Sequence, residues 1–194
     1  MSLGGSGGES RWHNGTVTPE IPAQIADEAL FLNWAVYTNL APWTEVVAWA
    51  DGWIERLDVW PEQITEISLN SRPEDSGARK ALAELAQKSQ ARDFPRQLVE
   101  RALSKVQSGQ NPSQIISELY PLVFENIEMG GLELPVAPPT FLKDALYQLD
   151  DDAESIDPKY GWTDIRGEAA SAWLQNRIQE ELQSVLTQLA GGNK

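Results

Sequence analysis

The chain has 194 residues, 41% of them hydrophobic, so it is long enough to bury one substantial core and short for two. Its 15 lysines and arginines stand against 29 aspartates and glutamates, which gives a formal charge of −14 at pH 7. Such an acidic surface repels phosphate backbones and anionic lipids, which argues against a nucleic-acid or membrane partner and favours a basic protein partner or simple solubility. The sequence contains no cysteine, which excludes disulfides, thiolate nucleophiles and thiolate metal sites.

The N-terminal residues are rich in glycine and serine and lack the basic and apolar regions of a secretory signal. We expect residues 1–18 to form a flexible leader and residues 19–194 to form one helical domain. His13, the only histidine, falls in this leader, and we interpret it as a surface residue rather than a catalytic base or metal ligand. The chain has no apolar run long enough to cross a bilayer, so we expect a cytoplasmic protein.

Two apolar helices are predicted near the start of the domain. The run from Ile25 to Leu40 is apolar on nearly every face, which is typical of a central helix surrounded by others. Pro42 then turns the chain into residues 43–60, whose tryptophans fall on one arc of roughly 160° on a helical wheel, opposite a charged arc. Because indole buries a large apolar area, we interpret this arc as core rather than as a platform for stacking ligands.

Short helices are predicted next from proline and capping patterns. Pro61 opens a segment, 62–69, that favours a helix and only weakly a strand. The sequence from Ser71 to Glu74 has the spacing of a capping box at the start of an alanine-rich helix.

Two further helices are predicted between residues 93 and 121. One follows Asp93 and stops at Gly109. Asn111 and Pro112 then cap and start the next, which must kink or restart at Pro121.

Residues 127–134 carry the one strand pattern of the sequence. Apolar and acidic residues alternate on both sides of Gly130-Gly131, which predicts either a short β-hairpin or an ordinary loop. A helix over residues 141–149 follows. The predicted fold class is therefore all-α, a compact multi-helix bundle with at most one short hairpin near residues 127–134.

The last predicted helix, 163–190, has an apolar stripe that changes face partway along. Ile165, Ala169, Ala172 and Trp173 share one side, and Leu174, Ile178, Leu182, Val185 and Leu189 share the other. We therefore expect this helix to touch two neighbours. The second stripe packs on the chain's own core or, alternatively, pairs two subunits of an oligomer.

The sequence identifies no catalytic residue, cofactor or metal site. In the acidic run from Asp150 to Asp157, some carboxylates occur at the alternating positions that supply ligands in a calcium-binding loop. The mid-loop glycine and the closing glutamate of an EF-hand are missing. A pair of carboxylates acting as general acid and base would form in space rather than in sequence. A carboxylate-dependent enzyme in a helical cleft therefore stays an alternative.

Residues 150–164 form the candidate recognition surface, a predicted loop with six carboxylates, one lysine and two aromatic residues. Charged rims around aromatic anchors are typical of protein interfaces. The candidate partner-binding residues are Asp150, Asp151, Asp152, Glu154, Asp157, Tyr160 and Trp162. In the alternative interpretation, Tyr160 and Trp162 pack under the loop and hold it against the core.

The stretch from Ala29 to Leu69 contains Asn33-Trp34 in one predicted helix, Trp49-Ala50-Asp51 in the next, and then Pro61 through Leu69. In these motifs it resembles small acidic helical proteins of bacteria that have unknown function, some of which are similar to immunity proteins of contact-dependent or polymorphic toxin systems. The resemblance implies no catalytic residues. It implies a non-enzymatic interaction module, an immunity-like inhibitor of a basic partner. The carboxylates and the last helix leave two alternatives, a carboxylate-dependent enzyme and a structural oligomer subunit.

Overall fold

The computed structural model describes residues 21–72, 76–123, 128–129, 132–133, 138–156 and 167–191. Over these ranges the chain forms eight α-helices, one 3₁₀ turn and two short strands, which confirms the all-α fold. The helices are α1 (Ala23–Tyr37), α2 (Trp43–Ile54), α3 (Glu62–Leu69), α4 (Ser76–Ala86), α5 (Phe94–Gln107), α6 (Pro112–Leu119), α7 (Thr140–Ser155) and α8 (Gly167–Gly191). The predicted leader and His13 lie outside the described residues.

Helix α1 is the central helix that the sequence predicts. Ile25, Ala29 and Leu30 are fully buried, and the helix packs against α4 and α5. Arg101 of α5 donates to the carbonyl oxygen of Leu40, 2.8 Å away, and so joins α5 to the segment between α1 and α2.

Helix α2 is shorter than the predicted helix over 43–60, because it ends at Ile54. Trp43 and Trp53 are buried, as the core interpretation requires, but Val59 is 69% exposed. The proline at position 61 disfavours helical backbone at Trp60. Trp60 instead donates its indole hydrogen to the hydroxyl oxygen of Thr65 in α3, 2.8 Å away.

The helices predicted after Pro61, Asp93 and Asn111 are confirmed as α3, α5 and α6. The side chain of Asn111 accepts a hydrogen bond from the backbone amide of Ser113 and so caps α6. Beyond α5, Gly109 adopts a φ of +88°, a conformation that glycine accepts without steric cost. The predicted capping box of α4 includes Pro73 and Glu74, which lie outside the described residues.

The predicted interruption at Pro121 is a 3₁₀ turn over Tyr120–Val123. The hairpin is present as β1 (Glu128–Met129) and β2 (Leu132–Glu133), which pair antiparallel with Met129 opposite Leu132. Both strands contact α4.

Helix α7 extends to Ser155, so the prediction that the acidic run beginning at Asp150 is a loop is wrong for residues 150–155. The apolar spacing of the helix predicted over residues 141–149 continues through Ala153 and Ile156, which pack against the core. This continued stripe keeps the acidic segment helical.

Helix α8 buries its second predicted stripe, whereas of the first stripe Trp173 is partly buried and packs against the core. Ala169 and Ala172 are exposed, so the expectation that both stripes touch neighbours is wrong for these residues, and Ile165 lies outside the described residues. Leu174, Ile178, Leu182 and Val185 are buried against the chain's own helices, and Leu189 is partly buried. Use of this stripe between subunits stays a prediction.

None of the described helices combines the length and apolar content that spanning a bilayer requires.

Candidate protein-interaction surface

The outer face of α7 brings acidic and aromatic side chains together. Asp144, Tyr147, Asp151 and Glu154 follow one another at spacings of three, four and three residues, so they share an arc of about 80°. All four are exposed, while the opposite face of the helix, with Leu142, Leu146 and Leu149, is buried. We call the four exposed residues, with Asp150 beside them and Tyr120 packed against them, the α7 surface.

Two tyrosines form the aromatic part of the α7 surface. The ring of Tyr120 meets that of Tyr147 edge to face, with ring centroids 5.9 Å apart and an interplanar angle of 87°. Tyr147 is 49% exposed, whereas Tyr120 is half-buried. Partial burial and the negative charge of Asp150 raise the pKa of the Tyr120 phenol. The two rings therefore lie beside the carboxylates of the α7 surface.

The acids of the α7 surface repel one another. Burial and the nearby charges of Glu154 and Asp151 raise the pKa of the Asp150 carboxyl. Glu154 also lies in the last turn of α7, which contains no basic residue, and a negative charge there opposes the helix dipole. The α7 surface thus carries charge that disfavours its own helix, and a cation from outside would relieve it.

Asp152 differs from the acids beside it, because it is held within the chain. Arg177 of α8 places its Nε 2.9 Å from Asp152 Oδ2 and its Nη1 2.8 Å from Glu181 Oε2. Arg177 and Asp152 are each 25% exposed, so the pair is partly shielded from water. Asp152 thus joins α7 to α8.

The structure brings together Asp150, Asp151 and Glu154 from the predicted partner-binding set. Asp157, Tyr160 and Trp162 lie outside the described residues. Sequence reasoning missed Asp144 and the two tyrosines of the α7 surface. Carrying the helical period beyond Leu149 would have placed Asp144 and Tyr147 on one face with Asp151.

A groove between α3 and α4 is a second candidate site. It encloses about 200 Å³, and its charged lining consists of Glu62, Glu66, Lys80 and Glu84. Glu84 is held by Lys80, with Nζ and Oε1 3.8 Å apart, and accepts a hydrogen bond from Gln63. The volume is below the roughly 300 Å³ at which ligand pockets usually begin.

A third polar cluster ties the tryptophans to α1. Glu28 Oε2 accepts hydrogen bonds from the indole nitrogens of Trp49, at 2.7 Å, and Trp53, at 2.9 Å. Partial burial by itself raises the pKa of Glu28, but these hydrogen bonds, another from Gln24 and the charge of Arg56 outweigh it and lower that pKa. The N–H groups of both indoles are thus hydrogen bonded within the chain, which is typical of structural residues.

The chain matches no protein-family model, no curated protein and no solved structure. In the described part of the chain, no three histidine, cysteine, aspartate or glutamate side chains form a metal-binding group.

Proposed function

We propose that this protein is a non-enzymatic interaction module that binds a basic protein partner, as an immunity-like inhibitor does. The observation that carries the proposal is the exposed stripe of Asp144, Tyr147, Asp151 and Glu154 on α7. It combines a half-exposed aromatic ring with carboxylates that form no salt bridge among the described residues. Interfaces use this combination, since aromatic anchors supply contact energy and rim charges orient the partner.

The charge of the whole chain supports the same proposal. A formal charge of −14 attracts a basic protein over several ångströms before contact, and the α7 surface concentrates that charge on one helix face. Such steering accelerates association and is screened within about 8–10 Å at physiological salt. We therefore expect partner association to slow steeply as ionic strength rises.

The test uses a charge-matched pair of variants. Asp151→Asn with Glu154→Gln removes two charges from the α7 surface, and Asp58→Asn with Glu180→Gln removes two from exposed positions elsewhere. A partner is captured from the native host with the full chain, identified, and its association rate is measured against each variant over a range of salt concentrations. We expect a basic partner, clearly slower association with the first variant and a much smaller effect with the second.

Equal binding of the captured partner to both variants, at every salt concentration, would place the interface away from α7. A captured partner with an acidic surface would contradict the proposal altogether.

A second candidate function, a carboxylate-dependent enzyme, is supported by the three glutamates that line the α3–α4 groove. Gly77 offers a clean test, because a Cβ there would lie 2.6 Å from Oε1 of Glu66. Gly77→Ala therefore displaces the Glu66 carboxylate without touching α7. A hydrolytic activity of the purified chain that falls in this variant and persists in the α7 variant would favour the enzyme over the interaction module.

A further inference from the structure

We infer that the group recognised at the α7 surface is an arginine side chain of the basic partner, stacked on Tyr147 and hydrogen bonded to Asp151. This inference rests on the proposed function and names the chemistry of its contact. Tyr147 and Asp151 are four residues apart on α7, so their side chains are neighbours on the exposed face. Asp144, three residues before Tyr147, flanks the ring on the other side.

The chain already binds a guanidinium in this way within its own fold. The guanidinium carbon of Arg101 lies 6.0 Å from the ring centroid of Phe31. The same group donates from Nη1 to Glu45, 2.7 Å away, and from Nη2 to the other oxygen of that carboxylate. An aromatic ring beside a carboxylate is thus a working guanidinium site in this molecule.

A second internal example involves Trp53. The guanidinium carbon of Arg56 lies 5.3 Å from the Trp53 ring centroid, and its charge acts on the Glu28 carboxylate that accepts the Trp53 indole hydrogen. The α7 surface offers the same pairing of ring and carboxylate. Among the described residues, however, Asp144 and Asp151 form no salt bridge with any arginine or lysine. Within the described part of the chain, these two carboxylates are therefore open to a cation from a partner.

The geometry favours arginine over lysine. A guanidinium is planar, so it stacks on a ring while its fork of N–H donors meets a carboxylate. A lysine ammonium is a compact and strongly hydrated charge that gains less from the ring. At a half-exposed ring such as Tyr147, we expect arginine to bind about two- to fivefold more tightly than lysine.

The test compares two synthetic peptides on the full chain, Ac-GRGRGRG-amide and Ac-GKGKGKG-amide, with binding followed by NMR through the Tyr147 and Asp151 signals. We expect both peptides to shift these signals, with the tighter dissociation constant for the arginine peptide. Tyr147→Leu, which keeps an apolar side chain but removes the ring, should reduce the difference between the two constants to the part that the fork of N–H donors contributes at Asp151. Tyr147→Phe, which keeps the ring, should preserve the difference.

The outcomes separate this inference from the proposed function. If the lysine peptide binds as tightly as the arginine peptide, or if the difference between the two constants is as large in Tyr147→Leu as in the unaltered chain, the arginine inference is wrong and the interaction module stands. Two results would contradict the arginine inference and the proposed interaction module together. In the first, neither peptide shifts the α7 signals. In the second, the variant with Asp151→Asn and Glu154→Gln binds the two peptides as tightly as the unaltered chain does.

Discussion

Trp53 donates its indole hydrogen to the carboxylate of Glu28, 2.9 Å away, and this bond fastens α2 to α1. The two residues are 25 positions apart in the chain, and Trp49 donates to the same carboxylate oxygen. Trp53 is only 7% exposed, so its N–H depends on Glu28 for a hydrogen-bond partner. The tryptophan-rich segment is therefore positioned by one acidic side chain as well as by apolar packing.

Replacing Glu28 with alanine should destabilise the fold by about 1–3 kcal/mol, because a buried indole N–H loses its acceptor. Urea titration at pH 7 gives the free energy of unfolding and so measures this loss of stability. Glu180→Ala, on the exposed side of α8, is the control and should change the free energy by less than about 0.5 kcal/mol. A Glu28→Ala protein as stable as the control would show that water replaces the carboxylate without cost.

The lowered pKa of Glu28 makes its contribution depend on pH. A carboxyl whose pKa is lower in the folded than in the unfolded chain stabilises the fold above its ordinary pKa of 4.5, and loses that contribution as the pH falls through the folded value. The difference in melting temperature between the unaltered chain and Glu28→Gln should therefore be largest near neutral pH and shrink below pH 4.5. A difference that is constant from pH 7 to pH 3 would contradict the role assigned to the charge.

Trp53→Ala should cost about 3–5 kcal/mol, since it removes a large buried side chain and one donor to Glu28. Val59→Ala is the matched control from the same predicted helix, because Val59 is 69% exposed beyond the end of α2. It should change stability by less than about 0.5 kcal/mol. Thermal unfolding followed by circular dichroism compares them, and a Trp53→Ala protein that melts like the control would reopen the interpretation of the tryptophans as a ligand platform.

Much of the fold was predictable because its determinants are local. The apolar run of α1 and the Asn111 cap of α6 involve residues within one or two helical turns, so the sequence displays them directly. The end of α2 was missed because the apolar arc continues through Trp60, although that side chain turns to Thr65. The apolar periodicity alone does not distinguish a residue within a helix from an apolar residue in the turn that follows it.

The candidate site was predictable only in part. Its acidic residues are close together in the sequence, but its contacts join residues that are far apart in the sequence. The acidic run was identified from sequence, but nothing in the spacing shows that Asp152 meets Arg177, 25 residues later, while Asp151 faces solvent. Tyr120 likewise reaches Tyr147 only through the packing of the 3₁₀ turn on α7. Such contacts arise from helix packing, which a single sequence does not display.

Glu154→Gln should stabilise the fold by about 0.3–1 kcal/mol at pH 7, because it removes a negative charge from the last turn of α7 and relieves repulsion with Asp150. The raised pKa of Asp150 means that its ionisation disfavours the folded state above that pKa, so the gain should shrink as the pH falls and Asp150 becomes protonated. In the variant, an NMR titration should find the pKa of Asp150 closer to its ordinary value of 3.8. An unchanged pKa would show that burial and the charge of Asp151, rather than Glu154, raise it.

Asp151 and Asp152 are adjacent, yet they should respond to substitution in opposite ways. Asp152→Asn weakens the partly shielded bond to Arg177 and should lower the free energy of unfolding by about 0.5–1 kcal/mol, while leaving partner association unchanged. Asp151→Asn removes an exposed charge and should leave stability within about 0.5 kcal/mol while slowing association with a basic partner. Urea unfolding and association rates measured on both variants test this division. If Asp152→Asn slows association as much as Asp151→Asn does, the ion pair with Arg177 opens during binding, and the interface extends from α7 onto α8.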